Sequence, residues 1–279
     1  MKILKFYWLI VLLGSSFSAA SMASDLETTT ELETTTEHLI IQNLLKQTGV
    51  MELLYQLPDW IDQELQHLEA TPVPFDDQEL AVVRDDLELS FAMSAIKKSL
   101  VAALAKDFSL QELQSLHQLF KAPEIKKFHR LQEKTASEYI QADIRSYKAK
   151  LKSATPRGAR VRLVEQLSDH LNQANMESDL KVELRKTLLI AVSWMKSKEV
   201  LKEPMLENEL TSYHRRVADK IDQQALVFYL YLFRRTPSDQ LSQLVNNFTA
   251  PEFRRFMEVC HQVMLSSIRQ QRQQILEKT

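Results

Sequence analysis

Glycine and cysteine are scarce in this 279-residue chain, which holds three glycines and one cysteine. Only Gly49 and Gly158 lie beyond the first 23 residues. Tight hairpin turns and phosphate-cradling loops both depend on glycine, so strand-and-turn architectures and glycine-rich nucleotide loops are disfavoured. The lone Cys260 excludes an intramolecular disulfide and a paired-cysteine metal site. Its neighbours Phe253, Phe256, Met257, Val263 and Met264 recur at helical spacing, which marks it as a small core residue rather than a reactive thiol. The chain also lacks a Gly-x-Ser-x-Gly elbow, a His-Glu-x-x-His pair and a Walker loop, which weighs against the commonest hydrolase, metalloprotease and nucleotide-binding chemistries.

Long hydrophobic runs are missing as well, and the one apolar run near the N-terminus is short. Lys2 and Lys5 precede Phe6 to Leu13, and small residues lead to Ser21-Met22-Ala23. A charged start, a short apolar stretch and a small-x-small site form a signal peptide, too short for the ~20 residues that span a bilayer. Cleavage is expected after Ala23, with Ala20 as the competing site. No cysteine follows to carry a lipid. The expectation is a periplasmic protein with no transmembrane segment in the mature chain. Asp25 to Glu37 repeats an acidic, Thr-rich unit with little to bury, so residues 24–37 read as a disordered spacer.

What is present is helical sequence. Hydrophobic residues make up 44%, enough for a core, and with so little glycine the fold class is all-α. Helices are predicted at about 38–48, ended by Gly49, at 51–68, where Pro58 starts a new segment or a kink, and from Asp76 to about Ala105 with an interruption near 87–90. Asp76 with Glu79, and Ser109 with Glu112, form capping boxes. Pro123 then starts a long helix to about Leu151. Ser153-Ala154-Thr155-Pro156-Arg157-Gly158 is the strongest boundary signal. Beyond it helices are predicted at about 160–172, 179–200, 205–235 and 251–277, with a short helix after Pro237; the run Leu226 to Phe233 reads as a buried segment.

One segment occurs twice. Phe120-Lys-Ala-Pro-Glu-Ile-Lys-Lys-Phe128 returns 128 residues later as Phe248-Thr-Ala-Pro-Glu-Phe-Arg-Arg-Phe256, with five of nine positions identical. At that offset Leu113, Leu116 and Phe120 match Leu241, Leu244 and Phe248; further upstream only helical periodicity persists. Two related helical subdomains follow, a helix bundle or stacked helical hairpins: repeat one over 38–152, a linker at 153–158 and repeat two over 159–279. Proline and glutamate suit a first helical turn and the phenylalanines suit a core stripe, so the motif has an architectural meaning.

The pattern Leu45-x-x-Thr48-Gly49 with Met51-x-x-Leu54, then Asp107-Phe108-Ser109-x-x-Glu112-Leu113-x-x-Leu116 running into Phe120-x-x-Pro123, resembles an exported family of Gram-negative bacteria known only as a domain of unknown function, number two thousand and fifty-nine. The resemblance covers about residues 39–131. Leu119-Phe120, Ala122-Pro123 and Ile125 stand where that family has an aromatic pair, Ser-Pro and Gly. It implies an exported all-helical protein and carries over no activity, cofactor or catalytic residue.

Charge is unevenly distributed. Residues 24–80 hold 13 acidic side chains against Lys46 alone, whereas residues 121–160 hold 11 Lys or Arg against four acidic ones. The doubled basic pairs Lys126, Lys127 and Arg254, Arg255 are therefore the candidate partner-binding residues, with an envelope protein or an anionic envelope surface as partner and no nucleic acid. His129 and Glu133, one turn apart, form the best local acid–base pair, though their spacing is that of an ordinary helix-surface contact. No metal, cofactor or catalytic residue is expected. The function expected is binding or scaffolding without catalysis; the alternatives are an envelope enzyme with a site between the halves and a carrier of an apolar ligand in the bundle core.

Overall fold

The computed structural model describes residues 27–69, 75–135, 137–154, 156–197 and 203–278. Among them are twelve helices, in order α1 (Glu27–Gln47), α2 (Val50–Glu69), α3 (Asp77–Ser90), α4 (Met93–Asp107), α5 (Leu110–Leu119), α6 (Pro123–Lys134), α7 (Glu138–Leu151), α8 (Gly158–Leu171), α9 (Gln173–Ser197), α10 (Glu203–Leu232), α11 (Ser238–Asn247) and α12 (Pro251–Lys278). The all-α expectation holds, and no described helix is long and apolar enough to cross a membrane. The segment read from sequence as a signal peptide lies outside the described residues.

Helix starts follow the local chemistry. Asp76 Oδ1 accepts from the Glu79 amide at 2.8 Å while the Glu79 carboxylate accepts from the Asp76 amide at 3.1 Å. Ser109 and Glu112 repeat that reciprocal cap on α5, and Pro123 and Pro251 each occupy the first position of a helix. Gly49 ends the α1–α2 connection at φ +78, in the left-handed region, and Asn172 does the same between α8 and α9 at φ 55. The Gln173 side chain sits where a Cβ on Gly49 would go and donates to the Thr48 carbonyl at 2.6 Å.

The structure corrects several boundaries. Residues 27–37 continue α1 upstream instead of forming a spacer; four of them are glutamates, whose charge is favourable near the positive end of a helix. Pro58 lies within a continuous α2. The predicted 123–151 helix is two helices, because Thr135 Oγ1 bonds back to the Gln132 carbonyl at 2.6 Å and Ser137 caps a new start by accepting from the Ile140 amide. The break predicted near 87–90 falls at Phe91–Ala92.

The segment at 153–158 separates α7 from α8, but it does not separate two cores. One hydrophobic cluster runs from Ile41 to Ile268 and takes side chains from both halves. α12 packs on α3, α4, α5, α8 and α9, and α9 packs on α2 and α3, so the halves are interleaved. Local packing also corresponds: α1 lies on α2, α4 and α5, while α8 lies on α9, α10 and α11. Ile41, Leu44, Leu57, Ile61 and Leu65 are buried, and so are Val164, Leu167, Leu180, Leu184 and Leu188, each 123 positions further along.

Candidate binding surface

α6 and α12 carry the four basic residues singled out by the repeated motif. In each helix the apolar positions turn inward: Ile125 and Phe128 on α6, Phe253 and Phe256 on α12, all buried. Helical spacing then places Lys126, Lys127, Arg254 and Arg255 on the exposed sides.

Lys127 and Arg255 have reciprocal tasks inside the molecule. Lys127 Nζ donates to Gln240 Oε1 at 2.8 Å. Arg255, its equivalent, donates to Glu112 Oε1 at 3.0 Å, and Glu112 is the equivalent of Gln240. Arg255 also donates to the Asp107 carbonyl at 2.9 Å and lies over the Phe108 ring, 4.1 Å from its centroid. Each long side chain thus reaches the first turn of the other half's short helix.

The aromatic residues beneath repeat this exchange. Phe108, just past the end of α4, meets Phe256 edge-on at 5.9 Å, and Phe233, just past the end of α10, stacks on Phe128 at 5.8 Å. Phe120 and Phe248, the equivalent residues that begin the repeated segment, touch each other at 6.3 Å. These ring contacts join the first half of the sequence to the second.

Two of the four predicted residues are therefore braces, and Lys126 and Arg254 are what remains of the doubled pair. Lys126 belongs to a larger set. Lys126, Arg130 and Lys134 stand one turn apart along α6, all exposed. On α7, Arg145, Lys148 and Lys150 are exposed as well, as is Lys152 just past its end. None of these seven has an acidic side chain within ion-pair distance among the described residues. α7 buries no residue completely and rests on α10, where Tyr147 meets the Tyr231 ring at 5.7 Å and Asp143 accepts from the Tyr231 hydroxyl at 3.3 Å. Near its start Tyr139 is 74% exposed.

No family model, curated protein or solved structure matches this chain.

The other candidate chemistry resolves into packing. His129 rests between Phe120 and Phe128, with ring centroids at 5.9 and 5.6 Å, and burial lowers its pKa against the opposing pull of Glu133. A half-buried imidazole packed between two rings, with no ion pair to Glu133, serves packing. Cys260 is fully buried, and burial raises its thiol pKa far above the ordinary range. Such a thiol carries no nucleophilic thiolate.

Sequence reading missed a polar seam between α9, α10 and α12. Asp179 lies 3.3 Å from His214 Nε2 and 3.0 Å from His261 Nε2. One turn on, buried Glu183 receives Arg269 Nε at 2.7 Å and Arg272 Nη1 at 2.6 Å, and Arg272 also reaches the Thr187 hydroxyl at 3.2 Å. Arg185 and Tyr213 converge on Glu64 at 3.2 and 2.9 Å. The only signal in sequence is the spacing of Asp179, Glu183 and Thr187 along one helix face; their partners lie 35 to 89 residues away and no motif joins them. Among the described residues no group of three or more His, Cys, Asp or Glu side chains is arranged to hold a metal ion. A cleft of about 230 Å3 between α9 and α10 borders His214, Lys186, Glu207 and Thr211. It is open to solvent, and the carboxylate nearest His214 is shared with a second imidazole.

Proposed function

We propose that this is an exported envelope protein that works by binding or scaffolding rather than by catalysis, and that its working part is the basic outer side of α6 and α7. The leader-like N-terminus and the resemblance to an exported helical family support the compartment. The observation that carries the reading is the set of seven exposed cations on α6, on α7 and at the C-terminal end of α7, none of them paired with an acidic side chain among the described residues. Elsewhere the exposed charges of the repeated motif are spent on internal braces, as Lys127 and Arg255 are. In the Glu183 cluster the buried carboxylate is held by Arg269 and Arg272 and is not turned toward a cleft.

The test is crosslinking in the periplasm followed by capture of the mature protein, with Lys126→Glu/Arg130→Glu as the comparison. Retention of an envelope component by the native protein and its loss in the variant is the expected result. Capture that ignores the charge reversal, or no capture at all, would count against binding through this surface.

A further inference from the structure

We infer that the basic side of α6 and α7 docks on an anionic lipid bilayer; the inference rests on the binding reading above and names its partner. The molecule supplies its own control. α6 and the first part of α12 are built alike: each starts at Pro, buries the same two positions and sends one cation to the other half's short helix. If the α6 stripe served folding, the second half would need it too. Its counterparts are instead mixed: Lys126, Arg130 and Lys134 correspond to Arg254, Glu258 and Gln262, and Arg145, Lys148 and Lys150 to Gln273, Leu276 and Lys278, so four of the six positions lose the charge. The excess positive charge belongs to one half alone and is not a requirement of the helix that carries it.

The form of the surface selects among anionic partners. Folded protein interfaces have an apolar core and are depleted in lysine. Here five of the seven cations are lysines, none of them lines the α9–α10 cleft or the cleft beside Leu65, Asp77 and Arg84, and Tyr139 is the one large exposed apolar side chain on either helix. Charges spread along helices of about 18 and 21 Å suit a broad, fluid array of phosphates that adapts to them. Polybasic segments bind anionic membranes in this way, each cation near the surface adding its own increment. A tyrosine at the edge of such a patch places an apolar ring and a polar tip at headgroup depth.

The test is co-sedimentation of the mature protein with vesicles of phosphatidylcholine alone and of phosphatidylcholine mixed with phosphatidylglycerol. Binding is expected only to the mixed vesicles, falling steeply as salt is raised, and unaffected by free glycerol phosphate in the same concentration range. Lys126→Glu/Arg130→Glu/Lys134→Glu should weaken it about tenfold or more, with the helical spectrum intact because all three are exposed. Arg254→Glu on the second half should leave it within about twofold. Equal binding to both vesicle types, no binding to either, or indifference to the triple reversal would overturn the lipid assignment. Charge-dependent capture of an acidic protein without any vesicle binding would overturn it too, while leaving the binding function standing.

Discussion

Removing either ring of the central Phe120–Phe248 pair tests whether the two halves fold as one unit. Phe120 faces Phe248, Phe253 and His129 at 6.3, 6.1 and 5.9 Å, and Phe248 faces Phe120, Phe253 and Phe128 at 6.3, 4.9 and 6.3 Å. Leucine keeps most of the buried volume and discards the ring contacts. Each aromatic pair contributes about 0.5–1.5 kcal/mol beyond area burial, and the smaller side chain leaves a small void, so each single Phe→Leu change should cost about 2 kcal/mol. Alanine would cost about 3–5 kcal/mol and, at both sites, would approach the whole stability of a domain of about 5–15 kcal/mol. The two leucine substitutions share one contact, so the double variant should fall short of the sum by about 0.5–1.5 kcal/mol. Urea unfolding followed by circular dichroism should show one transition throughout, with the midpoint moving and the slope unchanged. Strict additivity, or a Phe120→Leu variant that splits the transition into an unchanged second half and a weakened first, would refute the shared core.

Other perturbations have definite signs. Burial raises the Glu52 pKa from 4.5 to about 7, and its Oε2 has no hydrogen-bond partner. The folded state therefore holds a proton that the unfolded state releases at lower pH; the stabilisation is complete below about pH 4.5 and is lost as pH rises through about 7. Glu52→Gln should flatten the fall in stability between these values, worth about 2–3 kcal/mol, measured by urea melts across pH; an unchanged pH profile would show that the carboxyl is solvated. Gly49→Ala forces a side chain into φ +78 and against Gln173, and a loss of at least about 1–2 kcal/mol is expected in thermal melts. A neutral effect would mean that the α1–α2 turn rearranges freely.

The legible parts of the fold were those decided within one turn of helix. Both capping boxes, the glycine stop at Gly49 and the proline starts at Pro123 and Pro251 depend on neighbours within four residues, and each stands where its chemistry places it. The split between α6 and α7 was not legible, because Thr135 and Ser137 side chains compete locally with a helix that apolar periodicity would continue. The likeness between the two stretches of sequence extends only part of the way. Its interval is 128 residues through the Pro-Glu motif but 123 through the first helical pair, so a fixed offset loses the match upstream. The candidate surface was half legible. Charge density in residues 121–160 marks α6 and α7, but nothing near Lys127 or Arg255 reveals that Gln240 and Glu112, 113 and 143 residues away, receive them. The Asp179 and Glu183 clusters were hidden for the same reason: pairing across helices depends on packing geometry, which no short spacing encodes.

The interleaving of the halves fixes the order in which the chain can mature. α4 packs on α12, and Phe108 and Phe120 find their rings in Phe256, Phe248 and Phe253. A growing polypeptide that has emerged only as far as the 153–158 segment has helices but no lid for that apolar surface. It stays open until the last helix arrives. Contacts of such long sequence separation slow folding. Closure of the core therefore waits for the C-terminal helix, and a chain that lacks α12 keeps the apolar face of α4 uncovered.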